Sequence, residues 1–190
     1  MKKIGIFLSR MQPIHNAHLW MIENALKEND EVLVMIGSAN KEGNTRNPLN
    51  IKLRQNLVIE ALKEKFGNDF QDRIKIITIS DWSTEKNNDD QEWGRLIYYT
   101  TVGKMAVREF SYYSSEEPDK IKGWFEDKIN KRINFKFFSR ENEFNGLSAT
   151  KIREAIVNDN IDYIEKYCPT IIMERREELK EIIKSAKTIE

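Results

Sequence analysis

The chain has 190 residues, of which 31 are Lys or Arg and 31 are Asp or Glu, so its formal net charge at pH 7 is zero. A balanced charge argues against a general nucleic-acid-binding protein, because such affinity depends on neutralising many phosphates with a basic surface. A local basic pocket for a small phosphorylated ligand stays compatible with this balance. The single cysteine, Cys168, excludes an internal disulfide and a cysteine-rich metal site.

The apolar runs of the chain are short. Residues 4–8 form an apolar run that ends at Ser9 and Arg10, which is too short for the hydrophobic region of a signal peptide. No stretch approaches the roughly 18 apolar residues that a membrane helix needs. We therefore expect a cytoplasmic protein with small-molecule substrates as partners and with no nucleic-acid or membrane partner. A homo-oligomer stays open.

Strand-like apolar segments and helix-like amphipathic segments alternate along the chain. The pattern predicts strands at 4–9, 31–36, 73–79, 107–113 and 133–139. It predicts helices at 17–28, 48–64, 91–105, 118–129, 148–157, 161–167 and 170–187. For the helix at 48–64 we expect Asn47 as the N-cap, because Pro48 suits the first helical position.

This alternation predicts an α/β fold, a Rossmann-like, doubly wound parallel sheet of five strands with C-terminal helices. The length predicts a single domain, 1–190, in which 160–190 form a C-terminal helical extension. Ligands of such sheets bind beyond the carboxyl ends of the strands. We therefore expect the site in the loops that follow the predicted strands, at 9–16, 37–47, 80–90, 114–117 and 139–147.

The loop after the first predicted strand leads into the only two histidines of the chain, His15 and His18. Arg10 lies in the same loop, and the loop enters a predicted helix N-terminus. Ring N–H groups, free backbone amides and the positive helix end would then face one point, which suits a phosphate. The alternative is that one histidine caps the helix and the other lies on the surface. A zinc site lacks a third ligand, because Cys168 is far along the chain.

A second candidate segment, 146–153, lies at the start of a predicted helix. Ser148 and Thr150 offer hydroxyls, the helix offers free amides, and Lys151 or Arg153 adds positive charge for a polyphosphate. The alternative is a serine N-cap followed by two solvated basic residues. Taken alone, this segment leaves both interpretations open.

Together the two segments resemble the signatures of the nucleotidyltransferase superfamily. Residues 10–18 (RMQPIHNAH) are similar to its His-x-Gly-His motif, and 148–153 (SATKIR) to its Ser-x-Thr-x-Ile-Arg motif. Two further segments resemble the archaeal-type nicotinamide-nucleotide adenylyltransferases. They are 36–41 (IGSANK) with Asn47, Pro48 and Arg54, and Asp81 with Asn87, Asn88 and Trp93.

Three positions depart from the family pattern. Met11 stands where Phe is usual, Ala149 where Gly or Ser is usual, and Ala17 where Gly separates the two histidines. Alanine is small enough for a phosphate to approach the backbone. A positive φ at Ala17 would, however, be strained, because only glycine adopts it freely.

The resemblance implies that a mononucleotide 5′-phosphate attacks the α-phosphate of ATP, giving a dinucleotide and pyrophosphate, with nicotinamide or nicotinate mononucleotide as acceptor. It implies Mg²⁺ that arrives with ATP, and no metal-ligating residues. The implied catalytic residues are His15, His18, Arg10 and Arg153. The implied ATP and phosphate contacts are Ser9, Arg10, Gln12, His18, Ser148, Thr150 and Arg153. The implied mononucleotide contacts are Gly37, Ser38, Arg54, Asp81 and Trp93, with Lys41 and Arg46 as further candidate cations.

Alternatives stay open at three points. Trp93 either stacks on the nicotinamide ring or is a core residue of its helix. Asp81 either neutralises the cationic ring or caps a turn. The whole chain is either this adenylyltransferase, another adenylyl- or cytidylyltransferase of the superfamily, or a catalytically inactive nucleotide sensor.

Overall fold

A computed structural model describes residues 2–81 and 90–187 of the chain. Its strands are β1 Ile4–Ser9, β2 Glu31–Ile36, β3 Ile74–Thr78, β4 Phe110–Ser114 and β5 Ile133–Phe137. They form one sheet in the order β3-β2-β1-β4-β5, and all neighbouring pairs are parallel. The predicted doubly wound, Rossmann-like α/β sheet of five strands is confirmed.

Helices connect the strands and follow the last one. They are α1 Asn16–Glu28, α2 Ile51–Phe66, α3 Asp90–Met105, α4 Pro118–Gly123, α5 Asp127–Asn130, α6 Arg140–Phe144, α7 Ala149–Val157, α8 Ile161–Tyr167, α9 Thr170–Glu174 and α10 Arg176–Ser185. A short 3-10 turn, Phe70–Asp72, precedes β3. Across the described ranges, none of the helices has the length and apolar character needed to cross a membrane.

Both faces of the sheet are covered, as the side chains of β2 show most directly. Val32, Val34 and Ile36 pack into one core, and the alternating Leu33 and Met35 pack into the other. Alternation between two cores is what a central parallel strand with helices on both faces requires. Helices α1, α2 and α7–α10 cover the first face, and α3–α5 cover the second.

The helix expected at 48–64 begins later, and the prediction of Asn47 as its N-cap is wrong. Helix α2 begins at Ile51, and the side chain of its N-cap, Asn50, accepts a backbone N–H of the first turn at 2.8 Å. Asn47 lies in a preceding turn, where its backbone N–H donates to the side-chain oxygen of Asn44 at 2.8 Å.

Other boundaries also differ from the predicted ones. The helix expected at 118–129 is split into α4 and α5, and the one expected at 170–187 into α9 and α10. Strand β4 starts and ends later than the strand expected at 107–113, and α6 was not predicted. The first split lies at a close backbone contact. Gly94 of α3 packs on the backbone of Trp124 between α4 and α5, where a Cβ would lie 1.8 Å from the Trp124 carbonyl oxygen.

The strand order reverses between β1 and β4, and this reversal determines where a ligand fits. The chain passes from β1 outward to β2 and β3, then returns to place β4 on the other side of β1. The connections that follow β1 and β4 therefore run to opposite sides and leave a crevice beyond the carboxyl ends of these strands.

One side chain ties the loop after β1 to the start of α2. Gln12 is 2% exposed, and its side-chain amide donates to the Leu49 carbonyl at 3.0 Å and accepts the Leu49 N–H at 2.9 Å. Both ends of the buried amide are thereby satisfied. This pairing also holds residue 49 outside the helix, which explains the late start of α2.

A buried arginine joins the same loop to the loop after β2. Arg54, near the start of α2, is fully buried, and its Nη1 donates to the Arg10 and Gly37 carbonyls at 2.8 and 2.7 Å. Its Nη2 donates to the Ser38 carbonyl at 2.9 Å. Burial, and next the charge of Arg10, lower the pKa of Arg54 to about 10, so it stays charged at neutral pH. Arg54 is a brace for two loops.

Removing this brace tests its contribution to stability. We expect Arg54→Met to lower the free energy of unfolding by about 3 kcal/mol or more, because each buried carbonyl left unsatisfied costs about 1–3 kcal/mol. The matched control is Arg46→Met, at an exposed position of the loop after β2, with an expected change below about 0.5 kcal/mol. Denaturant unfolding measures the free energy of unfolding of both variants. Equal decreases in the two variants would contradict the role of Arg54 in stabilising the loops.

Candidate active site

A cavity of about 360 Å³ opens in the crevice beyond β1 and β4. Its walls come from the loop after β1, the first turns of α1 and α7, and the loops after β2, β3 and β4. The predicted site residues that line it are Ser9, Arg10, Gln12, His15, His18, Gly37, Ser38, Asp81, Trp93, Ser148, Thr150 and Arg153. The prediction that Arg54 contacts the mononucleotide is the exception, because Arg54 braces two of the loops without lining the cavity.

The two histidines stack on each other at the start of α1. Their ring centroids are 3.8 Å apart, with 20° between the ring planes. His15 is the N-cap and is 4% exposed. His18, one turn into the helix, has its Nε2 2.9 Å from the hydroxyl oxygen of Ser9 at the end of β1. The first turn of α1 therefore presents a ring nitrogen and a hydroxyl at the same point.

The backbone selects the tautomer of His18. The His15 backbone N–H donates to Nδ1 of His18 at 3.2 Å. A ring nitrogen that accepts this bond carries no proton, so the neutral ring holds its proton on Nε2. His18 therefore presents an Nε2–H donor beside Ser9.

The second predicted segment forms the N-terminus of α7. Ser148 is its N-cap, and its hydroxyl oxygen accepts the Lys151 backbone N–H at 3.3 Å. Arg153 crosses the crevice, where Nη1 donates to the Gln12 carbonyl at 2.8 Å and Nη2 to the Thr150 hydroxyl at 3.3 Å. Ser148 is thus a cap and also a residue of the cavity, and the N-termini of α1 and α7 meet across it.

Three positively charged side chains, those of Arg10, Arg46 and Arg153, contribute to the cavity wall. Burial, and next the charge of Arg10, lower the pKa of Arg153. The Arg46 guanidinium is exposed and has neither a hydrogen bond nor an ion pair with residues 2–81 or 90–187. Neighbouring guanidinium groups and two helix N-termini make this region favourable for an anion.

Asp81, which also lines the cavity, connects two loops. Its carboxylate accepts the Ser38 hydroxyl at 3.1 Å and lies 3.0 Å from the Lys41 ammonium nitrogen. The Asn40 side chain donates to the Asp81 carbonyl at 3.1 Å and accepts its N–H at 3.0 Å. Asp81 therefore connects the loops after β2 and β3, and Lys41 offsets its charge.

Trp93 lies at the boundary between the second core and the cavity. Its half-buried side chain packs against the second core and also lines the cavity. Sequence reasoning missed Trp124, which has the same two environments, and Ser115, Glu116 and Lys120 of the loop and helix after β4. The one feature of the sequence that could have identified these residues is their place after β4, because the loop after β4 is one of the loops that border the crevice.

Of the departures from the family pattern, Ala17 fits the observed backbone and Met11 has a left-handed conformation. Ala17 lies within α1 and is not among the described residues with positive φ, so alanine is unstrained there. Met11 is buried and has a φ of 51°. Asn87 and Asn88 lie outside the described residues.

Comparison with known proteins agrees with this arrangement. The model of the cytidylyltransferase-like family matches residues 6–155. The nicotinamide-nucleotide adenylyltransferase of Thermococcus sibiricus is 41% identical over 61 residues, covering 32% of this chain and 33% of that protein. The nicotinamide/nicotinic acid mononucleotide adenylyltransferase of Acinetobacter baylyi is 35% identical over 88 residues, covering 46% and 42%. The aligned segments thus span less than half the length of these relatives.

Solved structures share the fold. A bifunctional NMN adenylyltransferase/ADP ribose pyrophosphatase from Francisella tularensis superposes with a TM-score of 0.67 at 20% identity, covering 84% of this chain and 43% of that one. Similarity at this level of identity concerns the fold alone. The family match extends over most of the chain and includes both segments that meet in the cavity. The chain therefore belongs to the cytidylyltransferase-like family of nucleotidyltransferases.

Proposed function

We propose that this chain transfers the adenylyl group of ATP to nicotinamide or nicotinate mononucleotide, giving a dinucleotide and pyrophosphate. The observation that carries the proposal is that two helix N-termini, three arginines and the Nε2–H of His18 line one cavity where the strand order reverses. Dinucleotides bind at such a reversal in related sheets. The names of the relatives from Thermococcus sibiricus and Acinetobacter baylyi support the same reaction.

This reaction requires little proton transfer from the protein. The acceptor 5′-phosphate has a second pKa of about 6, so most of it is already a dianion at neutral pH. One of its oxygens attacks the α-phosphorus of ATP, and the bond to the bridging oxygen breaks, so that pyrophosphate leaves with the electron pair. The site must therefore supply positive charge and orientation, to bring two anions together and stabilise the transition state.

His18 is the residue that we place at the α-phosphate. Its Nε2–H donates to an α-phosphate oxygen as negative charge develops there. The His15 backbone N–H holds the other ring nitrogen, and the stacked His15 ring supports the His18 plane. Ser9 is close enough to keep this donor in place before ATP arrives.

The β- and γ-phosphates fit the N-terminus of α7, where the amides of the first turn and the Thr150 hydroxyl border the cavity. Arg153 and Arg10 balance their charge. The Gln12 side chain is hydrogen-bonded to Leu49. Gln12 therefore contributes to the phosphate site through its backbone carbonyl, which accepts a hydrogen bond from Arg153. We expect Mg²⁺ to enter as part of MgATP, coordinated by phosphate and water, since the described residues hold no metal-binding cluster of His, Cys, Asp or Glu.

The acceptor fits the remaining part of the cavity. Gly37 and Ser38 form one wall, and Trp93 and Trp124 contribute aromatic surface. A nicotinamide ring is flat and cationic, and an indole face attracts such a ring. Asp81 holds Ser38 of this wall through the Ser38 hydroxyl, at 3.1 Å.

Pyrophosphate release tests the proposal. Purified protein receives MgATP with nicotinamide mononucleotide, with nicotinate mononucleotide or with no acceptor, and CTP replaces ATP as a control. We expect release that requires ATP and one of the two acceptors, with the dinucleotide as product. ATP binding without release would favour the nucleotide sensor, and release that depends on CTP would favour a cytidylyltransferase.

The role of His18 predicts a defect in kcat. We expect His18→Ala to lower kcat on the order of a hundredfold, because it removes a donor to the transition state. His18→Gln is the matched variant, since its amide N–H can replace the Nε2–H in part, and we expect it to be the faster of the two. Steady-state kinetics measure both, with circular dichroism to check the fold. Near-normal kcat in His18→Ala would exclude the role.

The role of Trp93 predicts a defect in acceptor binding. We expect Trp93→Ala to raise KM for the mononucleotide about threefold to thirtyfold and to leave KM for ATP unchanged, because a ring–cation contact contributes about 0.5–2 kcal/mol. Trp20→Phe is the control, because Trp20 packs edge-on against Phe138 and Phe144 and does not line the cavity. An unchanged acceptor KM in Trp93→Ala would return Trp93 to a purely structural role.

A further inference from the structure

The segment that follows α10 pairs with the loop after β2. We call Ala186 and Lys187 the C-terminal strap. The Lys187 N–H donates to the Gly43 carbonyl at 3.0 Å, and the Thr45 N–H donates to the Lys187 carbonyl at 3.0 Å. Asn44 and Lys187 thereby form a parallel bridge. Residues that are distant along the chain are joined as in a two-stranded parallel ladder.

The loop held in this way carries the exposed cation of the cavity wall. The Asn44 side-chain oxygen accepts the N–H groups of Arg46 and Asn47 at 3.1 and 2.8 Å, which forms a turn that presents Arg46. Residues 41–43, 45 and 46 are exposed. Within the described ranges, the backbone hydrogen bonds that residues 41–46 make to other elements all go to Lys187.

The strap is itself fixed to the helix that carries the second phosphate segment. Helix α10 packs against α7, and its Leu179 is fully buried in the first core. The Lys180 ammonium pairs with Asp159, just after the end of α7. Helices α7 to α10 therefore pack into the same core.

We propose from this packing that 1–190 act as a single domain, with 160–190 as its helical extension.

We propose that the C-terminal strap positions Arg46 to bind a phosphate of the nucleotide substrates, a proposal that rests on the proposed function. Through its backbone, Lys187 is a positioning residue, and Arg46 is the binding residue on which it acts. An exposed loop must lose conformational freedom before its cation can meet an anion, and a loop that is already held loses less on binding. The helical extension thus has a role at the cavity as well as in the core.

A proline at the strap removes one hydrogen bond selectively. Lys187→Pro loses the N–H that donates to Gly43, and Ala186 already has a ψ of 131°, which a following proline accepts. Lys187→Ala is the matched control, because it keeps both backbone hydrogen bonds. Amide hydrogen exchange at Thr45 reports whether the loop has been released.

We expect Lys187→Pro to raise the KM of a nucleotide substrate about threefold to tenfold with kcat unchanged, because one hydrogen bond that orders a binding residue is lost. We expect faster exchange of the Thr45 amide in Lys187→Pro, and wild-type behaviour in Lys187→Ala. In an Arg46→Ala background the proline should add no further increase, because the residue that it positions is absent. Unchanged Thr45 exchange, an unchanged KM, or additive effects in the double variant would overturn the proposal.

Failure of the proposed function can be distinguished from failure of the strap proposal. If the proposed function is wrong, the unmodified protein releases no pyrophosphate with either acceptor. In that case the affinities for ATP and for the two mononucleotides, measured by calorimetry, replace KM in the same set of variants. Equal affinities of Lys187→Pro and Lys187→Ala for all three ligands would then overturn the strap proposal independently.

Discussion

A guanidinium group that does not line the cavity holds the loops that form it. Arg54 donates to carbonyls from the loops after β1 and β2, and these loops carry Arg10 and Ser38 of the candidate site. The Ser38 carbonyl also accepts the Lys41 N–H, so the Arg10 and Gly37 carbonyls are the two that depend on Arg54, and this buried cation favours one arrangement of both loops. The pairing of Gln12 with Leu49 adds a second connection. The cavity is therefore formed before a ligand binds, which lowers the cost of binding.

The strand order then brings separate positive elements into one place. The N-termini of α1 and α7 border one cavity where the order reverses between β1 and β4, and Arg10, Arg46 and Arg153 also line this cavity. Burial, and next the charge of Arg10, lower the pKa of Arg153. A chain with zero net charge thus contains a cavity whose wall includes three arginines. In our proposal, the contact between Lys187 and the loop of Arg46 completes this arrangement.

The sequence predicted what depends on periodicity and motif, and missed what depends on contacts between distant segments. All five strands, and the meeting of the His18 segment with the Arg153 segment, follow from local pattern and topology. The position of Arg54 does not, because a motif residue beside a site can either contact the ligand or brace the loops. The late start of α2 depends on Gln12, far away in sequence. Trp124 enters the cavity because Gly94 of α3 lets two backbones touch, and no local pattern encodes that contact.

Transfer of the α-phosphate is the central claim, and following the label from ATP tests it most directly. One reaction contains ATP labelled at the α-phosphorus and the other ATP labelled at the γ-phosphorus, each with Mg²⁺ and nicotinamide or nicotinate mononucleotide. Our account predicts that the α-label appears in the dinucleotide and the γ-label in pyrophosphate. Appearance of the γ-label in the acceptor, with ADP as the other product, or no transfer of either label, would contradict it.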